Sequence, residues 1–218
     1  MTPQLVLPPE TIWRVARLEK GLEFSRIDPV DAVSSGEGNR FDVVGGGVLY
    51  AATDVEGCYR ETLARLRPAP GMRELDEDGQ GFMAAGQVAA SWRETRRRFA
   101  LALVRPLPFI DVEAQATWNA LEGETGVLPE TVDRLDVGLV RGPDRVLTRA
   151  IASWAYTQTD GDGLPLYSGI RYLSRAGNFE CWAIFDGTVV VEPEPAGEIV
   201  TSDVDLRSVC KAYGLTIH

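Results

Sequence analysis

Imidazole is nearly absent from this sequence: its one His is the last residue, His218, and its three Cys (Cys58, Cys181 and Cys210) stand far apart. A Ser-His-Asp triad, a Cys-His pair, an HExxH zinc helix or a His-rich iron site each needs a His inside the fold. Three lone Cys without a CxxC make neither a zinc knuckle nor a disulfide framework. GxxxxGK[ST], GxSxG and DxDxDG do not occur. Gly45-Gly46-Gly47 is not GxGxxG, and it leads into a strand-like segment, so it fails the dinucleotide-binding context. The acidic pairs Glu192-Pro193-Glu194 and Asp203-x-Asp205 could bind Mg²⁺, but their Pro- and Gly-rich flanks read as solvated turns. No metal site is expected. Any chemistry must therefore come from Arg, Glu, Tyr and Ser.

Four segments carry such residues in order. They are Trp13-Arg14-Val15, Asn39-Arg40-Phe41-Asp42, Val48 to Ala52 followed by Arg60-Glu61, and Tyr167 to Arg175, which leads on through Asn178 to Trp182-Ala183-Ile184-Phe185-Asp186. Taken singly, each has an ordinary explanation. Glu61 could pair with Arg60 or Arg65 on a helix surface, Arg14 and Arg40 could sit in salt bridges, and Tyr50 could be a half-buried strand residue. Trp92, Trp118, Trp154 and Trp182 read as core.

The elements that must hold these residues are set by periodicity and punctuation. Trp13 to Leu18 reads as a strand, residues 25–47 as loop, and Val48 to Ala52 as a short buried strand. Thr53-Asp54-Val55-Glu56 has the S/T-x-x-E form of a capping box, which predicts a helix over 54–66. Pro68 and Pro70 end it. Residues 68–90 are expected to form a mobile excursion with a short helix at 83–90. Phe99 to Val104, Gly169 to Ser174, Phe179 to Phe185 and Thr188 to Glu192 are strand candidates. Helices are expected over 111–122, 129–135, 143–156 and 206–213, the third from an i, i+3, i+4, i+7 apolar series and the last closed by Gly214. No repeat or low-complexity linker divides the chain, so it is expected to form one α+β domain over residues 1–218.

Bulk composition limits the setting. The 218 residues are 44% hydrophobic and 25% charged, an ordinary globular balance that excludes disorder, collagen and coiled coil. With 22 basic against 32 acidic residues the formal charge is −10, which disfavours binding nucleic acid as the main task. The opening MTPQLVLPPETIWR lacks a signal peptide's basic start and apolar core, and no apolar run approaches the roughly 20 residues needed to span a bilayer. Free Cys without an export signal point to the cytoplasm. The five Arg between Arg93 and Arg105, and the seven carboxylates from Glu180 to Asp205, read as solvated faces. The acidic stretch could instead dock a basic partner, and some of the Arg could meet an anion.

Together, in this order and with the spacing from Tyr50 to Glu61, the four segments resemble the RES domain, the toxin component of bacterial toxin–antitoxin pairs usually encoded beside an Xre-type antitoxin. The resemblance runs from about residue 13 to 213. It implies a mixed, mostly antiparallel sheet core related to ADP-ribosyltransferases, and degradation of NAD⁺ at the nicotinamide–ribose bond. NAD⁺ would be a substrate, not a cofactor, with water or phosphate as acceptor. By position, the family Arg is Arg40, its Glu is Glu61 and its Ser is Ser174. Tyr50 matches the aromatic before the helix, and Arg14 an early Arg of the pocket. Arg175 and Asn178 are further contacts. One departure stands out, because Asp42 replaces the usual Asn beside Arg40. Ser168 competes with Ser174 for the serine role.

That chemistry suits these residues. Nicotinamide leaves as a neutral molecule, so no general acid is needed, whereas positive charge grows on the ribosyl centre. Glu61 would stabilise that charge. Arg14 and Arg40 would bind pyrophosphate as planar cations. Tyr50 would stack on nicotinamide or bond ribose, and Ser174 would donate to phosphate or ribose; with no base beside it, Ser174 is no nucleophile. The alternatives are protein ADP-ribosyltransfer and a non-catalytic partner-binding module. A homodimer is left open, since no heptad or patch specifies one.

Overall fold

In a computed structural model of the chain, which describes residues 1–69, 85–130 and 132–218, alternating apolar residues build a large mixed sheet. Its strands are β1 (Leu5–Val6), β2 (Ile12–Arg17), β3 (Val48–Ala52), β5 (Arg96–Leu103), β6 (Phe109–Asp111), β7 (Gly169–Leu173), β8 (Glu180–Phe185) and β10 (Gly197–Glu198), with β9 (Val190–Val191) paired to β5. The order is β1-β6-β7-β8-β3-β2-β5-β10, so strands from both ends of the chain share one sheet. Only β6 and β7 run parallel within it; the other pairs are antiparallel. A separate parallel pair joins β4 (Gln87–Val88) to β11 (Thr216–Ile217).

The period-two pattern of β3 and β8 explains why this sheet is covered on both faces. Leu49, Ala51, Trp182 and Ile184 point into one apolar cluster with Ile12, Leu101 and Phe109. Val48, Ala52, Cys181, Ala183 and Phe185 point into the other, with Phe41 and with Leu147, Ile151 and Ala155 of helix α6 (Arg145–Thr157). A third cluster packs Tyr59 and Leu63 of helix α2 (Val55–Leu63) against Leu206, Val209 and Tyr213 of α7 (Val204–Tyr213). Buried Asp203 fastens this corner: it caps α7, and its Oδ2 accepts from the Tyr59 hydroxyl and from Arg98, each at 2.9 Å.

The remaining helices are short: α1 (Pro29–Ala32), α3 (Ala90–Glu94), α4 (Gln115–Glu122) and α5 (Val137–Val140). The fold is the expected α+β type, and several boundaries move. Helix α2 is capped by Asp54, whose carboxylate accepts from the Gly57 amide at 2.6 Å; Thr53 instead donates to Glu180 across the sheet. The helix expected over 129–135 is absent among the described residues, the next helix being α5 after the Asp136 cap. Of the excursion expected over 68–90, residues 70–84 lie outside the described residues; after them Gln87–Val88 is strand, and α3 begins at Ala90. Among the described residues no helix is long and apolar enough to cross a membrane.

Candidate functional site

The turn after β3 sends α2 back along the sheet, and this places Glu61 above the ends of β2 and β3. The helix packs closely there: a Cβ on Gly57 would lie 3.1 Å from that of Phe179 and 3.3 Å from that of Ala52. The chain leaving β7 brings Ser174 to the same place. Its hydroxyl donates to Glu61 Oε1 at 2.5 Å and accepts from the Ala176 amide at 2.9 Å. Ser174 is only 1% exposed, so its hydroxyl is fixed in the protein interior. Glu61 itself is exposed and makes no ion pair among the described residues; Arg60 pairs with Glu56 instead, at 2.8 Å.

Glu61 lies on a cleft of ≈780 Å³ whose lining includes Arg14, Arg40, Tyr50, Tyr172 and Arg175. Arg14 on β2 donates to the Tyr50 carbonyl at 2.8 Å and to the Glu23 carbonyl at 3.5 Å. Arg40 donates to the carbonyls of Val140 (2.6 Å) and Leu173 (3.3 Å), with its guanidinium against the rings of Phe41 and Tyr172. Neither has a carboxylate partner among the described residues, and the Nε of each is buried without a hydrogen bond. Burial, their largest influence, lowers the proton affinity of both. Desolvated cations held only by neutral carbonyls are costly, and a bound anion offsets that cost.

Of the two roles expected of Tyr50, stacking on nicotinamide or bonding ribose, the second meets a hydroxyl that already has protein partners. Its hydroxyl donates to Asp42 Oδ1 at 2.8 Å and accepts from the Phe41 amide at 3.2 Å, so its proton is engaged within the protein, while the residue both packs on the main apolar cluster and lines the cleft. Burial, reinforced by Asp42, pushes the Tyr50 phenol well above its ordinary value. Asp42, the departure from the family pattern, also accepts from the Asn39 amide at 2.6 Å and so knits the turn that presents Arg40. Ser174 likewise gives its one proton to Glu61, so it orients the carboxylate and has no proton left for ribose or phosphate. Ser168 lies at the other end of β7, accepting from the Leu107 amide, outside the cleft lining. Asn178 is also outside it. It occupies the turn between β7 and β8 with φ of 61°, and its Oδ1 accepts from Arg141 at 2.7 Å.

Cys58 and Cys181 border the cleft, and burial pushes both thiols up, Cys58 to about 12. Both are neutral and unreactive at physiological pH. A smaller cleft of ≈560 Å³ beside Arg17, Trp92 and Arg96 contains no comparable carboxylate–hydroxyl pair among its described lining.

The sequence matches the RES domain family over residues 11–205. The chain belongs to the RES domain family. No curated protein matches it. A chain from the crystal structure of the M. tuberculosis MbcT–MbcA toxin–antitoxin complex aligns over 97% of this chain and 91% of its own, at 11% identity and a TM-score of 0.46.

This RES domain brings Arg14, Arg40, Tyr50, Glu61 and Ser174 into one place, although they are spread over 161 positions of sequence, from 14 to 174. Arg65 and Arg67 also line the cleft, and sequence alone does not select them. The i, i+4 spacing of Arg65 from Glu61 is visible, but a surface salt bridge has the same spacing, and Arg67 lies beyond the helix. Arg149 is likewise hidden in the sequence. It is 4% exposed on α6 and donates to the carbonyls of Ala32, Ser34, Glu37 and Asn39. One turn earlier, Arg145 donates to the carbonyls of Gly36 and Gly38. Between them the two arginines fasten the loop that leads to Arg40, and nothing in the pattern of that loop announces it.

Proposed function

We propose that this RES domain protein is a cytoplasmic toxin that cleaves NAD⁺ at the nicotinamide–ribose bond and is neutralised by an antitoxin of Xre type. The observation that carries this reading is the Glu61–Ser174 pair, whose carboxylate lies in a cleft otherwise charged only by arginines among its described lining, with Ser174 directly behind it. When the C1′–N bond breaks, its electron pair stays with nicotinamide, which departs neutral. Positive charge then grows on the ribosyl carbon. Glu61, held still by Ser174, supplies a fixed negative charge for it, and no proton donor is required. The oxygen of water or of phosphate bonds to C1′ and one proton is released to solvent.

Arg14 and Arg40 keep donors beyond those given to backbone carbonyls, and these suit the pyrophosphate. The Tyr50 ring, with its hydroxyl turned to Asp42, offers a stacking face for nicotinamide. NAD⁺ is thus a substrate, and no cofactor is needed.

The test is incubation of purified protein with NAD⁺, with and without phosphate, and identification of the products by mass. Nicotinamide is expected, with ADP-ribose in one case or its phosphorylated form in the other. Intact NAD⁺ under both conditions would overturn the proposal. Growth arrest on expression should disappear with Glu61→Ala.

A further inference from the structure

The cleft holds more positive charge than NAD⁺ needs, and the surplus is at one end. Among its described lining residues Glu61 is the one carboxylate, against Arg14, Arg40, Arg65, Arg67, Arg145 and Arg175. Arg145 is engaged with the Gly36 and Gly38 carbonyls, and Arg14 and Arg40 are the pyrophosphate candidates. Arg65 and Arg67 remain. They come after Glu61: Arg65 on the 3-10 turn Ala64–Leu66 that continues α2, and Arg67 at the extended residue that ends this turn. Arg65 makes no hydrogen bond or ion pair among the described residues, and Arg67 lies over the Tyr213 ring at 4.7 Å.

Their direction is away from the Glu61–Ser174 pair. The turn at Thr53 and Asp54 reverses the chain, so α2 runs back along β3 in the sense of β2, its antiparallel neighbour. The step from Glu61 to Arg65 therefore runs in the sense of Arg14 to Arg17. Consistently, Arg65 is one of the positive charges felt by Arg96, which pairs with Arg17 at the far end of β2. A dinucleotide cleaved at Glu61 and held by its pyrophosphate at Arg14 and Arg40 would direct its adenosine ribose toward Arg65 and Arg67.

Sites that reject a ribose 2′-phosphate do so with a carboxylate at the 2′-hydroxyl, and sites that accept it supply an Arg. Here the lining carboxylate is tied to Ser174, and the far end carries two exposed guanidinium groups. The geometry points to NADP⁺ as a second substrate of this cleft, its 2′-phosphate held by Arg65 and Arg67. The added group brings about −1.5 to −2 of charge at neutral pH, which suits the surplus. This inference rests on the proposed cleavage of NAD⁺ and uses the same bond changes: nicotinamide leaves with the C1′–N electron pair, the oxygen of water or of phosphate bonds to C1′, and a proton is released, giving 2′-phospho-ADP-ribose or its 1″-phosphate.

The experiment compares kcat/KM for NAD⁺ and NADP⁺, with and without phosphate, for the unmodified protein, the Arg65→Ala/Arg67→Ala variant and Arg175→Ala. Both dinucleotides are expected to be cleaved. The double variant should lower kcat/KM for NADP⁺ about ten- to hundredfold and for NAD⁺ by less than about threefold, from the strength of charge-assisted hydrogen bonds. Arg175→Ala, beside Ser174, should affect the two alike. Consumption of NAD⁺ with NADP⁺ left intact overturns the inference and leaves the proposed function standing. Equal losses on both substrates in the double variant also overturn it, because the arginines would then serve a group the two share. If both dinucleotides stay intact, the proposed function falls and this inference with it.

Discussion

Glu61 and Ser174 divide one task. The carboxylate is the group that faces developing positive charge, and the hydroxyl fixes where that charge is placed. The 2.5 Å bond from Ser174, itself supported by the Ala176 amide, restrains a side chain that is otherwise exposed. Glu61→Gln keeps the shape and removes the charge. It should lower kcat about 10²–10³-fold, the usual cost of deleting one preorganised electrostatic group. Ser174→Ala leaves the charge but frees its rotamers. It should lower kcat about tenfold with KM little changed, from loss of one charged hydrogen bond, and Ser174→Thr should restore part of the loss. Steady-state kinetics on the three variants checks this. Equal kcat for Ser174→Ala and the unmodified protein would remove Ser174 from the mechanism.

At the scale of elements, the loop from Ala32 to Asn39 is held mainly by an adjacent helix. Arg149 and Arg145, four residues apart on α6, donate to six of its carbonyls. Arg40 comes directly after, so its position depends on α6. Arg149→Ala removes the buried charged donor shared by four of these carbonyls and should cost about 1.5–3 kcal/mol of stability. Hydrogen exchange of the 32–39 amides should quicken, and KM for NAD⁺ should rise more than kcat falls. Arg149→Lys should rescue this only in part, since an ammonium lacks the planar fork. Unchanged exchange in that loop would show that α6 does not position it. Such a device marks the boundary of what sequence can tell. Strand β3 and the strand–turn–strand of β7 and β8 were legible because they are short, mostly apolar runs between punctuating Gly, Asn and Asp. Helix α6 was legible from its 3.6-residue period. The two-residue strands β1, β10 and β11 were not, because they exist only through their partners. Neither was the role of Arg149, since an Arg that bonds backbone carbonyls leaves no matching side chain to find.

The whole molecule sets an opposition between global and local charge. The chain carries a formal −10, yet the described lining of its cleft has six Arg and one Glu. The candidate set Arg14, Arg40, Tyr50, Glu61 and Ser174 was legible as a family pattern, because residue types and order survive in sequence. The electrostatic contrast was not, because Arg65 and Arg67 become cleft residues only when α2 folds back over β2. A positive cleft in a negative molecule attracts an anionic dinucleotide only where low-dielectric walls focus the field. Salt shortens the reach of that field from about 10 Å at 0.1 M ionic strength to about 3 Å at 1 M. KM for NAD⁺ should therefore rise several-fold over that range while kcat holds, because Ser174 and Glu61 meet at near-contact distance, well inside even the shortened screening length. NADP⁺, with its additional phosphate, should show the steeper dependence. A salt titration of both kinetic constants separates the two scales. A kcat that falls in step with 1/KM would mean that salt disturbs the Glu61–Ser174 pair itself, and a flat KM would mean that the arginines do not read phosphate at all.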